Sequence, residues 1–124
     1  MHLSLDPAES RYVLRGTGPA SVLVNERELT ASFALSADRL LEDWRPREVA
    51  DLQPGDIAPL LALDPEVVVL GTGPALRFPA PAVMAACLTR GIGIEAMDNA
   101  AAARTFNVLV GEGRRAVAAF LLPG

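Results

Sequence analysis

The sequence predicts an α/β protein with three layers, a central mixed β-sheet flanked by helices, and an N-terminal antiparallel β-meander. The second half of the chain alternates short apolar runs with helical patterns, which is typical of strand–helix–strand units. The first third holds short strand patterns separated by turn residues, which is typical of antiparallel hairpins. The 124 residues fit one domain, 1–124, with residues 1–10 as a loosely ordered lead-in.

The central strand is predicted at residues 66–70, where three valines and a leucine stop at Gly71-Thr72-Gly73-Pro74. A continuous apolar run indicates a strand that is buried on both faces. The two glycines allow a positive φ or the close approach of another group to the backbone. In an open α/β sheet, ligands bind beyond the carboxyl ends of the strands, so this loop is the first candidate site.

Two nucleotide-binding motifs do not fit this loop. A dinucleotide-binding fingerprint needs a third glycine where Leu76 stands, and a P-loop needs a lysine, which the chain lacks. The loop is interpreted either as a tight turn after a buried strand or as a contact for a small molecule or anion through free N–H groups.

The N-terminal strands are predicted by short runs rich in β-branched and aromatic residues. They cover residues 12–15, 21–24 and 29–35, with turns at 16–19 and 25–28. In the third strand Ala31, Phe33 and Leu35 alternate with smaller or polar residues, so one face is expected to be buried.

The segment from 36 to 53 is predicted to be irregular, with a helical turn that runs through Leu40 and ends at Pro46. Trp44 is interpreted either as a core residue or as an exposed anchor for a partner. Asp56 is predicted to cap the short helix that follows.

The chain is then predicted to continue as helix, strand, helix and strand, with the strands at 66–70 and 92–97 parallel. Pro81 opens the first of these helices, and Gly91 ends it. Its core-facing stripe is Val83, Met84, Cys87 and Leu88. The later elements are a helix at 99–110, capped by Asp98, and a final strand at 116–122.

The last helix has a weakly polar outer face. A spacing of 100° per residue places its apolar residues on one side and Ala101, Arg104, Asn107 and Val108 on the other. Arg104 is the only charge there, so we expect another part of the fold, a second copy or a partner to cover this face. Asp98 should share a sheet edge with the Gly71 loop. Arg104 would either pair with Asp98 or bind an external carboxylate or phosphate.

Composition limits the classes of function. The net charge of −4 argues against nucleic acid as a partner, and no apolar run is long enough to span a membrane. All eleven basic residues are arginines, and His2 and Cys87 are the only residues of their types. No catalytic group, cofactor or metal site is therefore expected. The single cysteine and the lack of a signal-peptide pattern at the N-terminus predict a cytoplasmic location.

Several short motifs together resemble the small domain-of-unknown-function family that includes the mitochondrial complex I assembly factor and an adipogenesis-associated protein. The chain is identified as a bacterial member, with a match that begins near Tyr12. The motifs are Val24-Asn25, the Trp44 region, residues 69–73, Gly91-Ile92, Met97-Asp98, residues 104–109 and residues 112–116. Relatives often carry a cysteine before the Arg-Thr pair, where this chain has Ala103. The resemblance implies a three-layer α/β fold and no established enzyme activity.

Two functional hypotheses follow from these patterns. The first is a non-enzymatic protein-interaction or complex-assembly module, by analogy with the mitochondrial relative. The second is a small-molecule binding protein or enzyme. Its candidate site residues are Gly71, Thr72, Gly73, Asp98, Arg104 and Asn107. Self-association through the last helix would yield a homo-oligomer.

Overall fold

The computed structural model of this chain describes residues 11–124, so the predicted lead-in at 1–10 lies outside the described residues. The described part forms eight strands and three α-helices in the predicted α/β arrangement. The strands are β1 (Leu14–Gly18), β2 (Ser21–Val24), β3 (Arg27–Leu29), β4 (Ala31–Leu35), β5 (Leu40–Leu41), β6 (Val67–Gly71), β7 (Gly93–Met97) and β8 (Ala116–Pro123). The α-helices are α1 (Ala58–Leu61), α2 (Pro81–Leu88) and α3 (Asn99–Gly111).

The strands form two sheets. β1, β2 and β3 make the predicted antiparallel meander, and the mixed sheet has the order β5-β4-β8-β6-β7. β6 pairs in parallel with both β7 and β8, whereas β4 pairs antiparallel with β5 and β8. The parallel pairing of β6 and β7 across α2 confirms the predicted crossover.

Each face of the mixed sheet has its own core, because side chains of a strand alternate between faces. Phe120 of β8 lies on the face that packs against α3 and the meander, where its ring stacks on Phe33 at a centroid distance of 5.1 Å. Leu121 lies on the face that packs against α2 and the segment around Trp44. The mixed sheet is therefore the middle layer of three, as predicted.

The prediction of one half-buried strand at 29–35 is wrong. The strand is interrupted at Thr30, where the chain leaves the meander and enters the mixed sheet as β4. β4 lies between β5 and β8, so both of its faces are buried, and Ser32 is only 3% exposed. The Ser32 hydroxyl accepts a hydrogen bond from Leu122 N (2.9 Å) and lies 3.2 Å from Leu122 O. These contacts provide hydrogen-bond partners for the buried Ser32 hydroxyl. In the sequence, Ser32 alternates with apolar residues and is therefore expected to face solvent.

Two further local predictions are wrong, and one is confirmed. Leu40 lies in β5 and pairs with β4 instead of forming a helical turn. β1 extends to Gly18, so the turn predicted at 16–19 is shorter than expected. Trp44 is a core residue, 6% exposed, and its indole Nε1 donates to Asp56 O (2.9 Å). The core interpretation of Trp44 is therefore confirmed.

Asp56 does not cap α1, whose N-cap is Ile57. Its carboxylate is instead bound by the Arg45 guanidinium through Nε (2.9 Å) and Nη2 (2.7 Å), and it also accepts from Gln53 N (2.9 Å). These bonds join two parts of the irregular segment, which packs through Trp44 on one face of the mixed sheet. Hydrogen bonding from Arg45, and then from the Gln53 amide, lowers the pKa of Asp56.

We expect Gly71→Ala to destabilise the protein. A Cβ at this position would press against Asn99 Oδ1, which is held by hydrogen bonds, and would lie 3.0 Å from Cδ1 of the fully buried Phe120. Overpacking of this kind costs about 1–3 kcal/mol, measured as the free energy of unfolding in urea. Gly111→Ala is the matched control, because a Cβ there meets nothing within 4 Å. Equal stabilities of the two variants would contradict this account of Gly71.

We expect Asp56→Asn to cost stability at neutral pH and to cost less as the solution becomes acidic. Because the folded-state pKa of Asp56 is lowered, its contribution is complete above the unfolded pKa of about 3.9 and is lost as pH falls through the folded value. Unfolding free energies of both proteins from neutral pH to about pH 2.5 test this. In an Arg45→Met background the pH dependence of the difference should shrink, and an unchanged pH dependence would contradict the assignment.

Candidate functional site

The predicted edge of the sheet brings the Gly71 loop and Asp98 together. β6 and β7 end side by side. Two backbone hydrogen bonds join the loop that follows β6 to the end of β7 and the start of α3. Thr72 N donates to Met97 O (2.8 Å), and Asn99 N donates to Gly73 O (2.8 Å). The two segments are therefore in direct contact.

Asp98 acts as the predicted N-cap of α3. One of its carboxylate oxygens accepts from Ala101 N at 2.8 Å, which satisfies one of the free N–H groups of the first helical turn.

Asn99 is a site residue that the sequence analysis missed. Its side chain is 4% exposed, accepts from Gly73 N (3.0 Å) through Oδ1 and donates to Leu121 O (3.2 Å) through Nδ2. One amide thus joins the Gly71 loop, β8 and the start of α3. The sequence offers one sign of this role, which is that a second polar residue follows the cap directly. Because polar residues are also common at exposed helix starts, this sign does not indicate that Asn99 is buried.

Thr72 organises the loop that follows β6. Its hydroxyl donates to Ala75 O (2.8 Å) and accepts from Arg77 N (3.1 Å), which closes the loop on itself. Gly73 has a φ of +106°, a conformation that favours glycine. The loop is therefore held by internal hydrogen bonds from Thr72 to Arg77.

Arg104 and Asn107 lie farther along α3. At 1.5 Å per residue they are about 9 and 13 Å from Asp98 along the helix axis. Arg104 is exposed and makes no ion pair with a residue in the described range 11–124. Asn107 accepts from Leu14 N (3.3 Å) and donates to Leu14 O (2.7 Å), so it fastens α3 to the edge of the meander. The meander thus covers part of the helix face that was expected to be covered, while Val108 stays exposed.

A second missed feature is an apolar surface around α2. Val83 and Cys87 face the core as predicted, but Leu88 is 57% exposed, so its assignment to the core-facing stripe is wrong. It lies about 100° around the helix from Cys87, which turns it away from the sheet. Before α2, the loop exposes Leu76 (49%) and Phe78 (76%).

The outer side of α2 carries no charge to offset these side chains. Met84 and Ala86 are partly buried and pack against the core. The exposed residues of the outer side are Pro81, Ala82, Leu88 and Thr89, and Ala85 is partly exposed. We call these residues, together with Leu76 and Phe78, the α2 surface. Helices that are apolar on all sides are ordinarily buried, so an exposed one indicates an interaction site.

Cys87 and a small cavity give weaker support for a functional site than the α2 surface does. Burial raises the pKa of the Cys87 thiol, which disfavours the reactive thiolate. A cavity of about 160 Å³ lies where β3 passes into β4 and is lined by Glu28, Phe33, Glu42 and Asp43, among others. Glu42 in this cavity is already bound by the Arg27 guanidinium. Residues 11–124 hold no cluster of three or more His, Cys, Asp or Glu side chains that fits a metal ion.

The described helices are all too short or too polar to cross a membrane.

We expect Asn99→Ala to destabilise the protein and to loosen the Gly71 loop. It leaves the buried Gly73 N–H and Leu121 C=O without partners, at about 1–3 kcal/mol for each group. Amide hydrogen exchange at Gly73 should become faster. Asn107→Ala is the matched control, because it should speed exchange at Leu14 and leave Gly73 protected. Unchanged protection of Gly73 in Asn99→Ala would contradict the role of Asn99.

Comparison with known proteins supports one family. Residues 14–121 match the model of a family described as protein of unknown function (DUF498/DUF598). A Xanthomonas campestris protein solved by NMR is 48% identical, with a TM-score of 0.86 over 100% of this chain and 94% of that chain. A Bordetella pertussis protein described as a Mth938-like domain is 30% identical, with a TM-score of 0.80 over 100% of this chain and 94% of that chain.

One curated relative has a named role. It is the NADH dehydrogenase [ubiquinone] 1 alpha subcomplex assembly factor 3 of Bos taurus, 32% identical over 103 residues, or 82% of this chain. The chain spans only 55% of that relative's length. Because the family model covers nearly the whole described fold, the chain belongs to the family of proteins of unknown function DUF498/DUF598.

Proposed function

We propose that this protein is a non-enzymatic interaction module that docks on another protein through the α2 surface. The observation that carries the proposal is the exposure of Phe78 and its apolar neighbours. Isolated exposed apolar residues are ordinary, but Leu76 and Phe78 lie in one loop that leads directly into a helix without charged residues. Aromatic side chains of this kind are frequent binding hot spots.

The rigidity of the loop also supports docking. Thr72 and Asn99 hold the backbone on both sides of the turn, and Pro79 and Pro81 restrict the chain that follows. Because the loop is already ordered, little conformational entropy remains to be lost when a partner binds. An exposed phenylalanine on a fixed backbone therefore offers more affinity than one on a flexible loop.

The named role of the bovine relative also supports a protein-binding function. That protein is an assembly factor for a respiratory complex, and assembly factors act through contacts with other proteins. We extend to this chain only the general class of activity, complex assembly or protein binding. A cytoplasmic location remains a prediction for it.

The second hypothesis remains a prediction as well. A small molecule bound at the Gly71 loop would have to use Gly71, Thr72, Gly73 and Asp98 together, because these four are the candidates that lie in contact. Arg104 and Asn107 would have to act from farther along α3. A ligand panel read by thermal shift tests this, since a ligand at 100 times its Kd adds about 2.7 kcal/mol.

We expect a photo-crosslinking phenylalanine analogue at position 78 to trap one predominant protein in the native host. The same analogue at position 108 is the matched control, because Val108 is exposed on α3, in the layer on the other face of the sheet. With the trapped protein purified, Phe78→Ser should weaken binding by about 2 kcal/mol, roughly thirtyfold. Its thermal stability should stay close to that of the parent, because Phe78 is 76% exposed.

Equal trapping at positions 78 and 108 would contradict the proposal. So would a purified complex that Phe78→Ser leaves unchanged.

A further inference from the structure

The charges around the α2 surface differ from those of the rest of the chain. Between Val67 and Ile94 the only charged residues are Arg77 and Arg90, one before and one after α2. The other nine arginines share the chain with fifteen acidic residues, which give the protein its net charge of −4. The segment of the chain that holds the α2 surface is therefore apolar and basic, whereas the chain as a whole is acidic.

Within residues 11–124 the two arginines lack the ion pairs that other arginines form. Arg27, Arg45, Arg114 and Arg115 each approach a carboxylate within 4 Å. A corresponding partner for Arg77 or Arg90 is absent among residues 11–124, and both are exposed.

We infer that the occupant of the α2 surface is a protein segment with an apolar centre and carboxylates on both sides of it. This inference rests on the proposed docking function. α2 has eight residues and is about 12 Å long, so about two helical turns of a partner would cover it. In the chain, Arg77 precedes α2 and Arg90 follows it, so carboxylates on both sides of the apolar centre could reach them. Apolar side chains of the partner would pack on Phe78 and Leu88, while its carboxylates would pair with the two guanidinium groups.

The two arginines also disfavour two other occupants of the α2 surface. A second copy related by a two-fold axis would place the arginines of one α2 surface against those of the other, which opposes association. An anionic membrane would attract two arginines only weakly, at about 1 kcal/mol for each, and the remaining surface of the protein is acidic.

Two amphipathic helical peptides test the inference directly. They share one leucine- and phenylalanine-rich face and differ only at their flanks, which are glutamates in one peptide and lysines in the other. We expect the full chain to bind the glutamate peptide at least about tenfold more tightly in a low-salt buffer, a difference of 1.4 kcal/mol. Salt should reduce this preference, because it screens exposed charges.

Two variants separate the charge effect from the apolar contact. Arg77→Glu combined with Arg90→Glu should reverse the preference between the peptides, whereas Phe78→Ser should weaken both peptides and keep the preference. The corresponding charge reversal at Arg104, with Arg104→Glu, should change neither affinity, because Arg104 lies on α3 in the opposite layer.

Different results would overturn the acidic partner and the docking function. Equal binding of both peptides that still depends on Phe78 would overturn the acidic partner and leave the docking function standing. Binding of neither peptide would overturn the inference, while the crosslinking at position 78 would decide the docking function by itself. Phe78-dependent dimerisation in sedimentation, or Phe78-dependent binding to phosphatidylserine vesicles without peptide binding, would assign the surface to a second copy or to lipid.

Discussion

The buried amide of Asn99 is the interaction on which the arrangement of this molecule depends. A parallel sheet leaves backbone groups without partners where its strands end, and such groups are costly when they are buried. Asn99 supplies a donor to Leu121 O and an acceptor to Gly73 N from a single side chain. It thereby fixes α3, the loop after β6 and the central strand β8 relative to one another. Gly71 leaves the space that this amide requires.

This network changes the interpretation of the glycine loop. In the sequence, two glycines after a buried strand resemble a ligand-binding turn. In the structure, their observed contacts are internal, since Gly71 lies against Asn99 and the backbone of Gly73 bonds to the same residue at both N and O. Thr72 then orders the chain as far as Arg77. The loop therefore presents Leu76 and Phe78 on a fixed backbone.

The layers differ in how completely they are covered. On one face of the mixed sheet, α3 is fastened to the meander by Asn107, so part of its weakly polar side has a partner within the chain. On the other face, α2 packs through Val83 and Cys87, and its outer side meets no further layer within the described residues. A helix that is apolar on all sides is ordinarily buried, and an exposed apolar patch is typical of an interaction site. This asymmetry is why we assign the interaction to α2 rather than to α3.

Local physics determined much of the fold in advance. The valine run of β6, the Asp98 cap, the proline at the start of α2 and the parallel crossover all follow from short-range patterns, and the structure has each of them. The errors at β4 and β5 arose where tertiary contacts override local pattern, because Ser32 is satisfied by a strand that follows about ninety residues later.

The sequence by itself determined the α/β class, the order of the main elements and the absence of the common nucleotide motifs. Only the tertiary structure decided that Asn99 is buried, that Leu88 faces outward and that Arg77 and Arg90 approach no carboxylate among residues 11–124. The physical reason is that periodicity specifies how residues are placed around a helix, whereas the neighbours of that helix decide which side is covered. For α2, nearly all sides are apolar, so the pattern contained no information about which one would remain exposed.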